Sequence, residues 1–140
     1  MDKLLLSKKI LIFEYVLLSL KMVSNFLVKE GFDNLHEYTE SAEAWEFFVE
    51  SQISDEPVNL VLTDLNMPGL DGMDLVQNIK SDEMTGDVKI IIISSDHDPL
   101  VIDEAMETGA DEYITKPVQF DQLLEKIDYV FNTLPNLKKL

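Results

Sequence analysis

Short apolar runs alternate along this chain with longer segments in which apolar residues recur every three or four positions. Lys9–Phe13, Val58–Thr63 and Lys89–Ser94 are apolar almost throughout, the pattern of strands covered on both faces rather than on one. Asn34–Tyr38 and Glu112–Thr115 are shorter and weaker strand candidates. Val16–Glu30 carries Val16, Leu20, Val23 and Leu27 on one helical face and stops at Gly31, a residue suited to ending a helix. Ala42–Ser51 would bury Ala44, Phe47 and Phe48, and Met73–Lys80, Pro99–Thr108 and Asp121–Leu134 complete the helices. Strand and helix alternate five times. That predicts an α/β fold: a doubly wound five-stranded parallel sheet of order 2-1-3-4-5, flavodoxin-like, with helices on both faces. At 140 residues the chain holds one domain, with a core of about 8–134, and only "PNLKKL" follows Leu134, so no output domain is expected.

This topology directs attention to the carboxyl ends of the strands, where open parallel sheets bind ligands at the switch between strands one and three. Strand one ends on Glu14 and Tyr15, strand three on Asp64, strand four on Ser94 and Ser95, and strand five on Lys116 and Pro117. Two carboxylates, a hydroxyl and an ammonium would converge from distant parts of the chain. A lysine and an aspartate in one crevice can neutralise each other, which offsets the cost of burying either. Taken singly, each is ordinary loop polarity or half of a structural ion pair. Together they point to a site.

Charge narrows the choice of ligand. With 11 basic and 27 acidic side chains the formal charge is −16, which opposes binding to nucleic acid or an anionic membrane. The chain has no cysteine, excluding disulfides, thiolate nucleophiles and Cys-ligated zinc. "MDKLLLSKK" is too short an apolar run for a signal peptide and no segment approaches a membrane span, so a cytoplasmic location is expected.

Three segments, "VNLVLTDLNMPGLDG", "KIIIISS" and "GADEYITKP", resemble the signatures of the response-regulator receiver domain, the CheY-like phosphoacceptor family. Their spacing is also similar, and the resemblance spans essentially the whole chain. It implies a stand-alone, single-domain response regulator of a two-component phosphorelay. Asp64 would be the nucleophile that takes a phosphoryl group from a histidine kinase or histidine phosphotransfer protein. Lys116 would pair first with that carboxylate and then with the phosphoryl oxygens. Ser94 resembles the switch hydroxyl, and the small Ser95 leaves room for the group. Tyr113 resembles the aromatic switch that turns inward and alters a face read by a downstream protein target. Glu14, Asp64 and the backbone carbonyl of Asn66 would hold Mg²⁺, with Pro68 and Gly72 shaping the loop. The resemblance also implies a cis Lys116–Pro117 bond.

One position departs from the pattern. Strand one in this family usually ends on two adjacent acids; here Glu14 falls on the first and Tyr15 on the second. A neutral phenol is a poor ligand for a hard cation that wants oxygen donors in an octahedron. Weakened Mg²⁺ binding is therefore expected, with the Tyr15 ring partly covering Asp64. Two outcomes stay open: phosphotransfer with a compromised metal site, or a degenerate pseudo-receiver that binds a partner independently of phosphorylation. Retention of Asp64, Ser94, Tyr113 and Lys116 favours the first.

Other features are weaker. Leu18 lies opposite the apolar face of its helix and Leu17 to one side, suggesting a phosphodonor contact or a homodimer, although single exposed leucines are common. "DHD" at 96–98 reads as a solvated loop, His36 as structural or exposed, and Trp45 with Phe47 and Phe48 as helix packing. A flavin site would need a glycine-bearing phosphate loop where "EYVLLSL" stands, and no Walker, GxGxxG or HExxH motif occurs.

Overall fold

The computed structural model describes residues 2–132. In chain order these form α1 (Lys3–Leu6), β1 (Ile10–Phe13), α2 (Leu17–Lys29), β2 (Leu35–Tyr38), α3 (Ser41–Gln52) and β3 (Leu60–Thr63). Then come β4 (Asn66–Met67), β5 (Leu70–Asp71), α4 (Gly72–Ser81), β6 (Lys89–Ser94), α5 (Pro99–Thr108), β7 (Glu112–Thr115) and α6 (Phe120–Asn132). The main sheet has five strands in the order β2-β1-β3-β6-β7, all paired in parallel. This is the expected 2-1-3-4-5 order, with the small antiparallel ribbon β4-β5 inserted after the third strand.

The apolar runs form central strands because both of their faces are covered. Ile10, Ile12, Leu60, Leu62, Ile91 and Ile93 point into a layer closed by α2 and α6. Leu11, Phe13, Val61, Ile90 and Ile92 point into the opposite layer with residues of α3, α4 and α5. Every residue of β1 and β3 is buried. At about 1.5–3 kcal/mol for each large aliphatic side chain withdrawn from water, this pattern fixes the sheet's place in the middle of the molecule.

Three details differ from the sequence reading. Val16 is not on the buried face of its helix: it is the N-cap residue of α2, 44% exposed, and Leu20, Val23, Ser24 and Leu27 make that face. The helix α1 was not expected, because four residues cannot display a helical period. It is capped by Asp2, whose carboxylate accepts the Leu4 amide at 2.9 Å, and it sends Leu5 into the α2–α6 layer. The ribbon β4-β5 was also missed. The predicted end of the last helix at Leu134, and the segment 135–140, lie outside the described residues.

The helices differ in charge. From Tyr15 to Lys29 the sequence contains two lysines and no acid. Each of the other described helices longer than one turn carries at least one acidic residue.

Candidate functional site

The switch point between β1 and β3 gathers Glu14, Asp64 and Lys116, three of the residues that the sequence singled out. Glu14 and Asp64 follow directly on the two strands and are each only 8% exposed. Lys116, one residue beyond β7, reaches across to both. Its ammonium donates to Glu14 Oε1 at 2.6 Å and to Asp64 Oδ2 at 2.8 Å. Burial alone would lower the lysine's pKa. The hydrogen bonds to Asp64 and Glu14, with the charge of both carboxylates, outweigh that and leave it raised. The second Asp64 oxygen accepts the Asn66 amide at 3.1 Å. The carboxylate is thus held from both sides.

The chain leaves β3 through a turn that returns close to Asp64. A Cβ on Gly72 would lie 2.6 Å from the Asp64 carbonyl oxygen and 2.6 Å from the Leu65 Cα, so only glycine permits this approach. The Gly72 amide donates to the Leu65 carbonyl at 3.0 Å, and Asp71 caps α4 by accepting the Met73 amide at 2.9 Å. Pro68 and Gly69 make the tip of the ribbon, with Gly69 at φ 79°.

Ser94 ends β6 fully buried. Its hydroxyl accepts the Asp96 amide at 3.2 Å, and its carbonyl accepts the Lys116 amide at 2.8 Å. Tyr113, in the neighbouring strand, is turned inward; its phenol donates to the Asp96 carbonyl at 2.9 Å. Ser95 is exposed. The Lys116–Pro117 peptide is cis, as the resemblance implies.

Tyr15 is not part of the lining at Asp64 and Lys116. It is 55% exposed and lines a separate recess with Thr39, Glu40, Ser41, Met67 and Pro68. The reason is geometric: the chain turns after β1, sending Glu14 towards Lys116 and Tyr15 towards the β2–α3 turn. Leu17 and Leu18 are 59% and 72% exposed and remain without packing roles. Asp98 caps α5 through the Leu100 amide at 3.0 Å, so part of "DHD" serves the helix start. His36 is half-buried against Phe47, with ring centroids 4.7 Å apart. Trp45 stacks on Phe48.

Sequence reasoning missed a cavity of about 390 Å³ that opens beside the carboxylates. Ser19, Met22 and Val23 of α2, together with Val118 and Phe120 beyond the cis proline, contribute its walls. No local motif announces it, because four separate segments meet there.

A doubly wound parallel sheet with a lysine-bridged pair of acids at its switch point defines the class: a CheY-like α/β module. The profile of the response regulator receiver domain family matches residues 10–128. The chain belongs to that family, as a CheY-like receiver domain of two-component signalling. Chemotaxis protein CheY-3 of Vibrio cholerae is 32% identical over 126 residues, which cover 90% of this chain and 93% of the relative. A response regulator receiver domain protein from Clostridium thermocellum superposes with a TM-score of 0.78 at 30% identity, covering 89% of this chain and 94% of the other. The CheY of a CheX-CheY-BeF3-Mg+2 complex from Borrelia burgdorferi matches at a TM-score of 0.80 and 21% identity over 90% of each chain; that likeness concerns the fold. Among the described residues, no helix is long and apolar enough to cross a membrane.

Proposed function

We propose that Asp64 accepts a phosphoryl group and that the chain then signals by contact with a protein partner. The observation that carries this reading is the Lys116 ammonium held between Asp64 and Glu14 at 2.8 and 2.6 Å. A lysine so placed neutralises the nucleophile before transfer and can move to the phosphoryl oxygens after it. In the transfer, an Asp64 oxygen bonds to phosphorus as the P–N bond of a phosphohistidine breaks, and that bond's electron pair stays on the histidine nitrogen. Ser94 would turn its hydroxyl proton to the group once it arrives, and the Asp96 amide that the hydroxyl accepts would shift with it. Tyr113, joined to Asp96, would register that change on the surface formed by α5, β7 and α6. The donor is a histidine kinase or a histidine phosphotransfer protein, and exposed Leu17 and Leu18 supply part of its contact.

The residues present fit Mg²⁺, though with few charges. Glu14, Asp64 and the Asn66 carbonyl offer hard oxygen donors only, leaving further positions to water and phosphoryl oxygens. When bound, the ion neutralises charge on the phosphoryl oxygens. Tyr15 adds no carboxylate, and no group of three or more His, Cys, Asp or Glu placed to hold a metal is present among the described residues. Weak binding follows. The same observation supports the second reading, a pseudo-receiver that binds its partner without phosphorylation.

Incubation with acetyl phosphate, with and without Mg²⁺, followed by intact mass measurement separates the two. Gain of one phosphoryl mass, lost in Asp64→Asn, supports phosphotransfer. No gain, or an equal gain in Asp64→Asn, supports the pseudo-receiver.

A further inference from the structure

The cavity beside Asp64 is larger and more apolar than a phosphoryl group requires. Val23, Leu62, Ile93, Val118 and Phe120 line its interior, and Phe120 is braced by stacking on Phe26 with ring centroids 4.7 Å apart. Its charged groups, Glu14, Asp64 and Lys116, follow the strand ends at the crevice. A phosphoryl group gains nothing from an aliphatic wall, so its chemistry does not account for this space. A volume of about 390 Å³ falls within the roughly 300–1,000 Å³ of sites for small organic ligands, which are mostly apolar with a few polar groups to orient the occupant.

The charges say which occupant. Two carboxylates share one ammonium, giving a formal excess of one negative charge. Lys116 bonds Glu14 through Oε1, which leaves the other Glu14 oxygen to accept from an incoming donor. An anionic head could pair only with Lys116, which is already shared between two carboxylates, and an uncharged ligand would leave the excess uncompensated. The formal −16 of the whole chain adds attraction for a cation at a distance.

We propose that this cavity binds a small organic monocation with an apolar body, of the arylalkylammonium class, with its body under α2 and its ammonium on Glu14. Binding needs only the cavity and its mouth. Its regulatory consequence rests on the function proposed above: the bound ammonium would occupy carboxylate oxygens assigned there to Mg²⁺ and the phosphoryl group, and so would oppose phosphorylation.

Titration of the full chain with phenylethylammonium, followed by amide NMR shifts, tests the site. Phenylacetate (the same body with the opposite charge) and methylammonium (the head without the body) serve as comparisons. Saturable shifts are expected at Ser19, Val23, Lys116 and Val118, with affinity at least about tenfold above both comparison ligands. Equal affinity for either comparison ligand, or shifts that do not saturate, overturns the proposal. Ser19→Trp, which fills the cavity, should abolish binding. Should that variant not fold, Glu14→Gln decides: amine affinity should fall about tenfold while that of uncharged benzyl alcohol stays the same. Unchanged amine affinity in Glu14→Gln overturns the assignment of the head. The titration does not read phosphorylation, so failure of the mass assay on Asp64 and failure of this site are separate results.

Discussion

Tyr113 and Asp96 are joined by one hydrogen bond, the phenol donating to the Asp96 carbonyl at 2.9 Å, and that bond ties the buried ring to the β6–α5 loop. The same loop residue donates its amide to Ser94. The aromatic ring, the loop and the buried hydroxyl are therefore mechanically one unit, and a change at Ser94 has a short path to the surface. Tyr113→Phe removes the bond and keeps the packing. A loss of about 0.5–1.5 kcal/mol at neutral pH is expected from urea denaturation.

The same residue predicts a pH effect. Burial raises the Tyr113 pKa; a hydrogen bond with Ser94 works against this, and the charges of Asp96 and Asp64 add to it, leaving the value above the ordinary 10.0. The fold thus prefers the neutral phenol. Its contribution is complete below the unfolded pKa and is lost as pH rises through the raised folded value. Stability measured above pH about 10 should fall more steeply for the natural chain than for Tyr113→Phe.

Lys116→Met should destabilise the protein by about 1–3 kcal/mol, less than for a wholly buried pair because the lysine keeps some contact with water. Two neighbouring carboxylates would then lack their shared cation. Since the folded pKa of Lys116 is raised, its stabilisation is present at neutral pH and is lost only as pH rises past the ordinary lysine value. Thermal melts at neutral pH should show the deficit, and it should narrow at strongly alkaline pH.

Gly72→Ala should cost about 1–3 kcal/mol or more, because the new methyl would meet backbone atoms of Asp64 and Leu65, which cannot rotate away. Amide shifts at Asp64 and Asn66 should move along with the melting temperature. A variant as stable as the natural chain would show that the turn opens without cost.

Tyr15→Asp should raise Mg²⁺ affinity about tenfold, on the order of 1.4 kcal/mol, by calorimetry. Because Tyr15 is half-exposed, the same change should leave stability within about 0.5 kcal/mol. Unchanged affinity would mean that position 15, in its separate recess, cannot reach the ion.

The sheet was legible because its central strands are unbroken apolar runs; four successive isoleucines in β6 admit few other readings. The meeting of Glu14, Asp64 and Lys116 was legible as well, since strand order alone brings strand ends together. What sequence did not convey has a common cause. The ribbon of Asn66–Met67 with Leu70–Asp71 and the single turn of α1 are too short to show a period. The direction of Tyr15 depends on a turn whose dihedrals no residue type dictates, so its place in a separate recess was not foreseen. The exposure of Val16 followed from a helix starting one residue later than its apolar spacing suggested.

The absence of acids between Tyr15 and Lys29 has a consequence for how molecules meet this one. Against an acidic partner, most of the molecule repels and α2 does not. Collisions in most orientations would then be turned away before contact, and the approaches that survive arrive on the side where Asp64 opens. Selectivity of that kind needs no lock and no complementary groove: it works by exclusion at a distance, it weakens as salt is added, and it would govern how often the right encounter occurs rather than how tightly it holds.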